Sequence, residues 1–188
     1  MKNNPKLFPK PESSVLVVID IQEKLIKAMD KAQIASSIKR SEILIDSCIK
    51  LKVPVVFTEQ YSKGLGPTVE ELKGFLPLCD VFEKSTFSCF GNKAFSDRIK
   101  ELNPETIIIC GIETHVCVQQ TAFDAMSSGC GVVIPADAVC SRSSQNKDIA
   151  LNLMLSSGVA VTSTESLIFA LIKDSTHPSF KEISKKLK

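Results

Sequence analysis

The chain has 188 residues, 44% of them hydrophobic, and its 23 Lys and Arg residues nearly balance 21 Asp and Glu residues, for a net charge of +2. This balance gives no indication of a nucleic-acid or charged-membrane partner. No apolar run approaches the roughly 20 residues that cross a bilayer, and the opening MKNNPKLFPKPESS lacks the apolar stretch of a secretion signal.

Six short apolar runs predict six strands. Each run is too short for a helix, and most are rich in Val and Ile and apolar at successive positions. This pattern is typical of parallel strands that are covered on both faces. In chain order the runs are SVLVVID (14–20), VPVVFTE (53–59), the weaker CDVFEK (79–84), TIIICG (106–111), GVVIPAD (131–137) and GVAVTST (158–164).

Apolar residues at helical spacing lie between these runs. They predict helices over 34–51, 92–102, 146–157, 164–172 and 178–187, and a further helix after TIIICG. The alternation predicts an α/β fold of three layers, α/β/α, around a central, mostly parallel, Rossmann-like sheet of about six strands. We expect a single domain over 1–188, with an extended segment at 1–13 and a helical tail at 174–188.

Sheets of this kind bind ligands beyond the carboxyl ends of their strands. Asp20 ends the first run, where an acid serves either as a helix cap or as a site carboxylate. Glu59 ends the second run, Lys84 ends the third, and Cys117 follows the fourth. These four residues are therefore the first candidates for a functional site.

Cys117 stands in a position that favours a reactive thiol. Gly111 is predicted to end the strand and Thr114 to cap the next helix, which places Cys117 in the first helical turn. Unpaired N–H groups and the helix dipole favour a thiolate there. Three polar residues continue its line along the helix and predict a position outside the core: Thr121, Asp124 and Ser128.

The other cysteines and the histidines are weaker candidates. Seven cysteines, an odd number without a C-x-x-C pair, indicate reduced thiols and a cytoplasmic setting. Cys48 and Cys110 lie among apolar residues, and Cys89, in the loop after the third run, is the main rival of Cys117. His115 is two residues from Cys117, a spacing that does not face it on a helix. Asp20 is the candidate base.

Three motifs, VVIDIQ, EKSTFSCF and GIETHVCV, follow each other at predicted strand ends. Together they resemble the isochorismatase-like cysteine hydrolases over roughly residues 14–172. The loop TEQYSKGLGPTV and the end HPSFKEI are most similar to the isochorismatase-domain-containing proteins. The resemblance implies a triad that cleaves an amide-like C–N bond through a thioester, with Asp20 as base, Lys84 as supporting cation and Cys117 as nucleophile.

The resemblance also carries expectations about the surroundings of the triad. It implies an oxyanion site formed by the N–H groups of Glu113 and Cys117, and a cis peptide bond between Ile112 and Glu113. Nicotinamidases have an Asp-x-His…His metal motif after the second strand, whereas TEQYSKGLG contains no histidine. We therefore expect neither a metal nor another cofactor.

The substrate and the assembly remain open at this point. The expected partner is a small molecule, with Glu59, Tyr61, Phe87 and Phe90 as pocket walls, although core packing explains either phenylalanine equally well. Vinyl-ether hydrolysis is an alternative chemistry, but the founding isochorismatases that perform it lack Cys117. A non-catalytic oligomeric binding protein and a redox-sensing thiol are further alternatives. The family often forms dimers or larger assemblies, so a homo-oligomer is expected.

Overall fold

A computed structural model describes residues 9–187. In this part of the chain, seven parallel strands form one sheet in the order β3-β2-β1-β4-β5-β7, and β6 pairs with β4. The predicted sheet is confirmed, with the two-residue β6 as an additional strand. The strands are β1 (Ser14–Ile19), β2 (Val55–Gln60), β3 (Asp80–Lys84), β4 (Thr106–Ile112), β5 (Gly131–Pro135), β6 (Val139–Cys140) and β7 (Ala160–Thr162).

The predicted helices are present, and the first begins three residues early because Asp30 caps it by accepting a hydrogen bond from the Gln33 N–H. Two four-residue helices were not predicted, since so short a segment shows no periodicity. The helices are α1 (Lys31–Lys50), α2 (Ser62–Leu65), α3 (Glu70–Lys73), α4 (Lys93–Leu102), α5 (Gln119–Ser127), α6 (Ser144–Ser156), α7 (Thr164–Ile172) and α8 (Phe180–Leu187).

Alternate residues of the central strand β1 face two separate hydrophobic cores. Leu16 and Val18 pack with residues of α1, α7 and α8. Val15, Val17 and Ile19 pack with residues of α4, α5 and α6. Because both faces are covered, every residue of β1 and β4 is buried, and this explains their continuous apolar runs. The three-layer arrangement is confirmed.

The two ends of the chain differ in how far the structure describes them. Residues 1–8 and 188 lie outside the described part, so most of the predicted extended segment at 1–13 is not covered by it. Pro11–Ser13 form one turn of 3-10 helix instead of extended chain. The tail contains α8, which packs through the buried Ile183. Between residues 9 and 187, no helix has the length and apolar character needed to cross a membrane.

The carboxyl ends of the strands lie close together where β1 and β4 meet. β2 and β3 continue the sheet to one side of β1, and β5 continues it to the other side of β4, so the strand order reverses at this junction. Such a switch point is the usual ligand site of an open α/β sheet. Gly111 does not end the strand as predicted, because β4 continues to Ile112 and pairs Gly111 with Ile19.

Gly111 allows this close approach, and its replacement tests the junction. Its φ is +120°, and a Cβ there would lie 2.1 Å from the Ile19 carbonyl oxygen. We expect Gly111→Ala to lose more than about 3 kcal/mol of stability, or to fail to fold, in urea denaturation. Gly129→Ala is the matched control, because its φ is +88° but its Cβ would meet no described atom within 4 Å. Equal losses in both variants would contradict the role of the close contact.

Candidate active site

A buried ion pair joins the end of β1 to the end of β3. Lys84 Nζ lies 2.6 Å from Asp20 Oδ2, and the two side chains are 1% and 0% exposed. Asp20 follows β1 directly, with a left-handed φ of 51°, and it caps no helix, since α1 is capped by Asp30. Removing one partner of such a pair leaves a buried charge at a cost of several kcal/mol. The geometry thus favours a site carboxylate over a helix cap.

All N–H donors of the Lys84 ammonium group bond to other groups of the protein. Its three N–H donors serve four acceptors: Asp20 Oδ2 at 2.6 Å, Gln60 Oε1 at 2.6 Å, and the carbonyl oxygens of Phe87 at 3.2 Å and Thr86 at 3.3 Å. Burial lowers the pKa of Lys84, but the attraction of Asp20, Cys89 and Cys117 and the hydrogen bond to Asp20 together outweigh it, so the pKa is raised. Lys84 therefore holds Asp20 and the loop that follows β3, and keeps no donor for a ligand.

Cys117 lies in a helical turn that differs from the predicted one. Residues Thr114–Val118 form a π-helical turn that leads into α5, and the N–H groups of Val116 and Val118 both donate to the Glu113 carbonyl. Thr114 is not a cap, and its buried hydroxyl has no partner among the described residues. The peptide bond between Ile112 and Glu113 is cis, which confirms that expectation.

The surroundings of Cys117 raise the pKa of its thiol, against the expectation that the helix start favours a thiolate. The residue is 7% exposed and packs in the core shared by α4, α5 and α6. Burial, followed by the charge of Asp20 and a hydrogen bond with it, raises the pKa of the thiol to about 12 against the opposing effect of Lys84. A thiol with a raised pKa needs a base if it is to attack a carbonyl carbon, and Asp20 is the carboxylate beside Cys117.

The polar line on α5 begins at the buried Thr121, continues through the exposed Asp124 and Ser128, and anchors the loop that follows β3. The hydroxyl of Thr121, on α5, accepts a hydrogen bond from the Cys89 N–H at 3.0 Å. Ser88 Oγ donates to Asp124 Oδ2 at 2.5 Å. The prediction that this line lies outside the core is wrong for Thr121, which is buried, whereas Asp124 and Ser128 are exposed as expected. Thr121 and Asp124 join loop 85–91 to α5, which directly follows the turn that contains Cys117.

The four expected pocket walls lie in different surroundings. Glu59 Oε1 accepts both the N–H and the hydroxyl of Thr68 at 2.7 Å, so it secures the segment after β2. Tyr61 is 59% exposed and Phe87 is 55% exposed. Phe90 packs edge-to-face on Phe95, with ring centroids 5.4 Å apart. Core packing is thus the better description of Phe90.

A cavity of about 480 Å³ opens beside β3. Tyr61 and Lys84 line it together with Glu83, Asn92 and other residues of that edge, but Asp20 and Cys117 do not. Of the expected walls, Tyr61 alone combines exposure with a place in this cavity. The cavity reaches the ion pair from the Lys84 side.

Several site residues were not found from the sequence. Gln22 is fully buried, and its amide bonds the Gln60 carbonyl at 3.0 Å, the Gly66 carbonyl at 2.6 Å and the Gln60 N–H at 2.8 Å. Thr58 Oγ1 donates to Asp20 Oδ1 at 2.7 Å. A glutamine directly after the apolar VVIDI was a possible signal, whereas threonine is common in any strand.

The remaining polar groups near the π-helical turn bond to the segment after β6. His115 Nδ1 lies 3.0 Å from Ser141 Oγ, and Glu113 Oε2 accepts the Arg142 N–H at 3.0 Å. His115 is therefore engaged away from the nucleophile. Within residues 9–187, no three His, Cys, Asp or Glu side chains form a cluster that could hold a metal ion.

Comparison with known proteins identifies the family of the chain. Residues 14–166 match the model of the isochorismatase domain. The chain belongs to the isochorismatase family. Isochorismatase domain-containing protein 2 of Danio rerio is 38% identical over 178 residues, which cover 94% of this chain and 87% of the relative.

Two solved structures share the fold of the chain. The MAR1 ribonuclease of Caenorhabditis elegans superposes with a TM-score of 0.88 at 37% identity, covering 95% of this chain and 91% of the other. The YcaC protein of Escherichia coli, described as an octameric hydrolase of unknown specificity, has a TM-score of 0.83 at 19% identity and covers 98% of both chains. At that identity the second likeness shows the fold alone.

The effect of Asp20 on the Cys117 thiol predicts that Asp20→Asn makes this thiol more reactive. Asp20→Asn removes a charge that raises the pKa of Cys117, so we expect iodoacetamide to alkylate Cys117 about tenfold faster than in the wild type at about pH 8. Peptide mass spectrometry measures the rate. Cys48 and Cys110, both fully buried, are internal standards for an intact fold. A slower or unchanged rate at Cys117 would contradict the proposed contact.

Proposed function

We propose that the chain is a cysteine-dependent hydrolase that cleaves a C–N bond of a small amide-like substrate through a thioester. The observation that supports this most is the buried ion pair of Asp20 and Lys84, whose carboxylate acts on the nearby, buried Cys117 thiol and raises its pKa. This combination supplies a nucleophile and a base in one water-poor site.

The first half of the reaction forms the thioester. Cys117 Sγ attacks the substrate carbonyl carbon while its proton passes to Asp20. The N–H groups of Glu113 and Cys117 stabilise the oxyanion of the tetrahedral intermediate. When the intermediate collapses, the C–N bond breaks and Asp20 returns the proton to the departing nitrogen. The amine or ammonia leaves, and the acyl group stays on sulfur.

Water completes the cycle with the same base. Asp20 takes a proton from a water molecule, whose oxygen attacks the thioester carbonyl. The C–S bond then breaks, the proton passes to sulfur, and a carboxylic acid is released. Lys84 keeps Asp20 in place throughout, and its positive charge balances the carboxylate whenever Asp20 is ionised. Because its donors are occupied, Lys84 has no contact with substrate in this scheme.

The alternatives are each less well supported. Vinyl-ether hydrolysis gives Cys117 no role. A redox sensor requires a readily formed thiolate, and burial raises the pKa of Cys117. The neighbour from C. elegans is named a ribonuclease, but here Lys84 has no free donor for a phosphate and His115 bonds Ser141. A purely binding role leaves the buried ion pair beside a thiol without a chemical purpose.

Assembly and compartment form part of the proposal. We infer a homo-oligomer, supported by the octameric neighbour from E. coli and by exposed apolar side chains on α6, including Ile149 and Leu153. A cytoplasmic setting is supported by the seven cysteines, all of which are free thiols. The substrate is a small molecule, and no cofactor is assigned to the reaction.

A screen of small primary amides and ureides with ammonia detection tests the proposal. We expect turnover by the wild type in the presence of a chelator and a loss of at least about a thousandfold in Cys117→Ala. Cys130→Ala is the matched control and is expected to keep wild-type activity, because Cys130 is a half-buried cysteine beyond the C-terminal end of α5.

Two further results bear on the alternatives. An RNA oligonucleotide incubated in parallel is expected to remain intact. Amide turnover that survives in Cys117→Ala, or hydrolysis of a vinyl ether that needs no Cys117, would contradict the thioester mechanism.

A further inference from the structure

Thr58 lies between the catalytic carboxylate and a second buried cysteine. Its hydroxyl donates to Asp20 Oδ1 at 2.7 Å, while the Thr58 carbonyl accepts the Asp20 N–H at 3.1 Å. The Cys89 thiol donates to the Thr58 hydroxyl at 3.8 Å, within range for sulfur. All three side chains are buried, so water does not compete for these bonds.

The direction of these bonds follows from the number of protons. A threonine hydroxyl has one proton and two lone pairs. Because Cys89 donates to a lone pair, the single hydroxyl proton is directed to Asp20 Oδ1. Lys84 holds the other oxygen, Oδ2, at 2.6 Å. The carboxylate is thus held at both oxygens and cannot rotate without breaking a bond.

We propose that Thr58 and Cys89 form a positioning pair that holds the Asp20 carboxylate against the Cys117 thiol. The inference rests on the proposed function, since it assigns Asp20 the role of base. Thr58 and Cys89 act through Asp20 and have no part in the bond-breaking steps.

The same pair explains why the rival cysteine does not act as a nucleophile. Cys89 is fully buried, its N–H is bonded to Thr121 and its thiol is bonded to Thr58. Burial and the charge of Asp20 also raise the pKa of Cys89 to about 11. Its thiol therefore remains protonated and donates a hydrogen bond.

Alkylation of Cys117 tests the pair without any substrate. Thr58→Val keeps the shape of the side chain but removes the hydroxyl, so the carboxylate can turn away from the thiol. We expect iodoacetamide at about pH 8 to alkylate Cys117 several-fold faster than in the wild type, though slower than in Asp20→Asn. Thr58→Ser, which keeps the hydroxyl, is expected to match the wild type. Thr106→Val, a buried threonine at the opposite end of β4, is the matched control.

Two results would overturn the role of Thr58. One is an alkylation rate in Thr58→Val within about twofold of the wild type. The other is a rise at Cys48 or Cys110 together with Cys117, because these buried core cysteines would then report that Thr58 supports the fold rather than Asp20.

Cys89 is tested in the same assay. Cys89→Ala removes the donor to Thr58, and we expect a smaller rise in Cys117 alkylation, of about threefold, that Cys89→Ser reverses. Cys48→Ala, a fully buried cysteine in the other core, is the control for loss of a thiol. No difference between Cys89→Ala and Cys48→Ala would remove Cys89 from the pair.

A kinetic measurement separates this inference from the proposed function. With an amide from the screen, Thr58→Val is expected to lower kcat about tenfold while KM changes less than about twofold, and Thr58→Ser is expected to restore kcat. If the wild type hydrolyses no amide, the proposed function fails, whereas the alkylation rates still decide whether Thr58 positions Asp20. An unchanged kcat in Thr58→Val would overturn the inference alone.

Discussion

The buried ion pair between Asp20 and Lys84 is the constraint on which the site depends. Two charges taken out of water are stable only when nearly every donor and acceptor around them is paired. Here Gln60 and two loop carbonyl groups accept the remaining hydrogen bonds of Lys84, and the Thr58 hydroxyl donates to the second oxygen of Asp20. The same bonds that neutralise the pair therefore also set the course of the chain after β2 and β3. The ion pair and its hydrogen bonds thus determine both the backbone path and the charge balance at this site.

The sheet brings the two charged side chains and the Cys117 thiol together. The last residues of β2 and β3 pair side by side, with Gln60 opposite Lys84, and β1 lies against both β2 and β4. Gly111 permits β4 to run close to Ile19, so the π-helical turn with Cys117 starts beside Asp20. Loop 85–91 then closes over this edge through its bonds to α5. A chemical site is thereby assembled from four distant segments.

The sequence indicated where the candidate site residues lie, but not the protonation of Cys117 or the burial of its neighbours. Asp20, Lys84 and Cys117 were found because strand ends are visible as places where short apolar runs stop. The protonation of Cys117 was predicted wrongly, since it depends on burial and on the charge of Asp20, and neither is visible in a local pattern. Thr121 was misread for the same reason, because loop 85–91 covers it. Thr58 was missed because a threonine in a strand carries no signal of its own.

The feature on which the proposed chemistry depends most is the protonated Cys117 thiol beside the lysine-paired carboxylate of Asp20. The most direct test is the ultraviolet absorbance of thiolate, followed as the difference between wild type and Cys117→Ala from about pH 6 to about pH 10. The account predicts no thiolate signal near neutral pH and an increase only as the pH rises above 9.0, the ordinary value for cysteine. One equivalent of thiolate lost with Cys117 near neutral pH would contradict it.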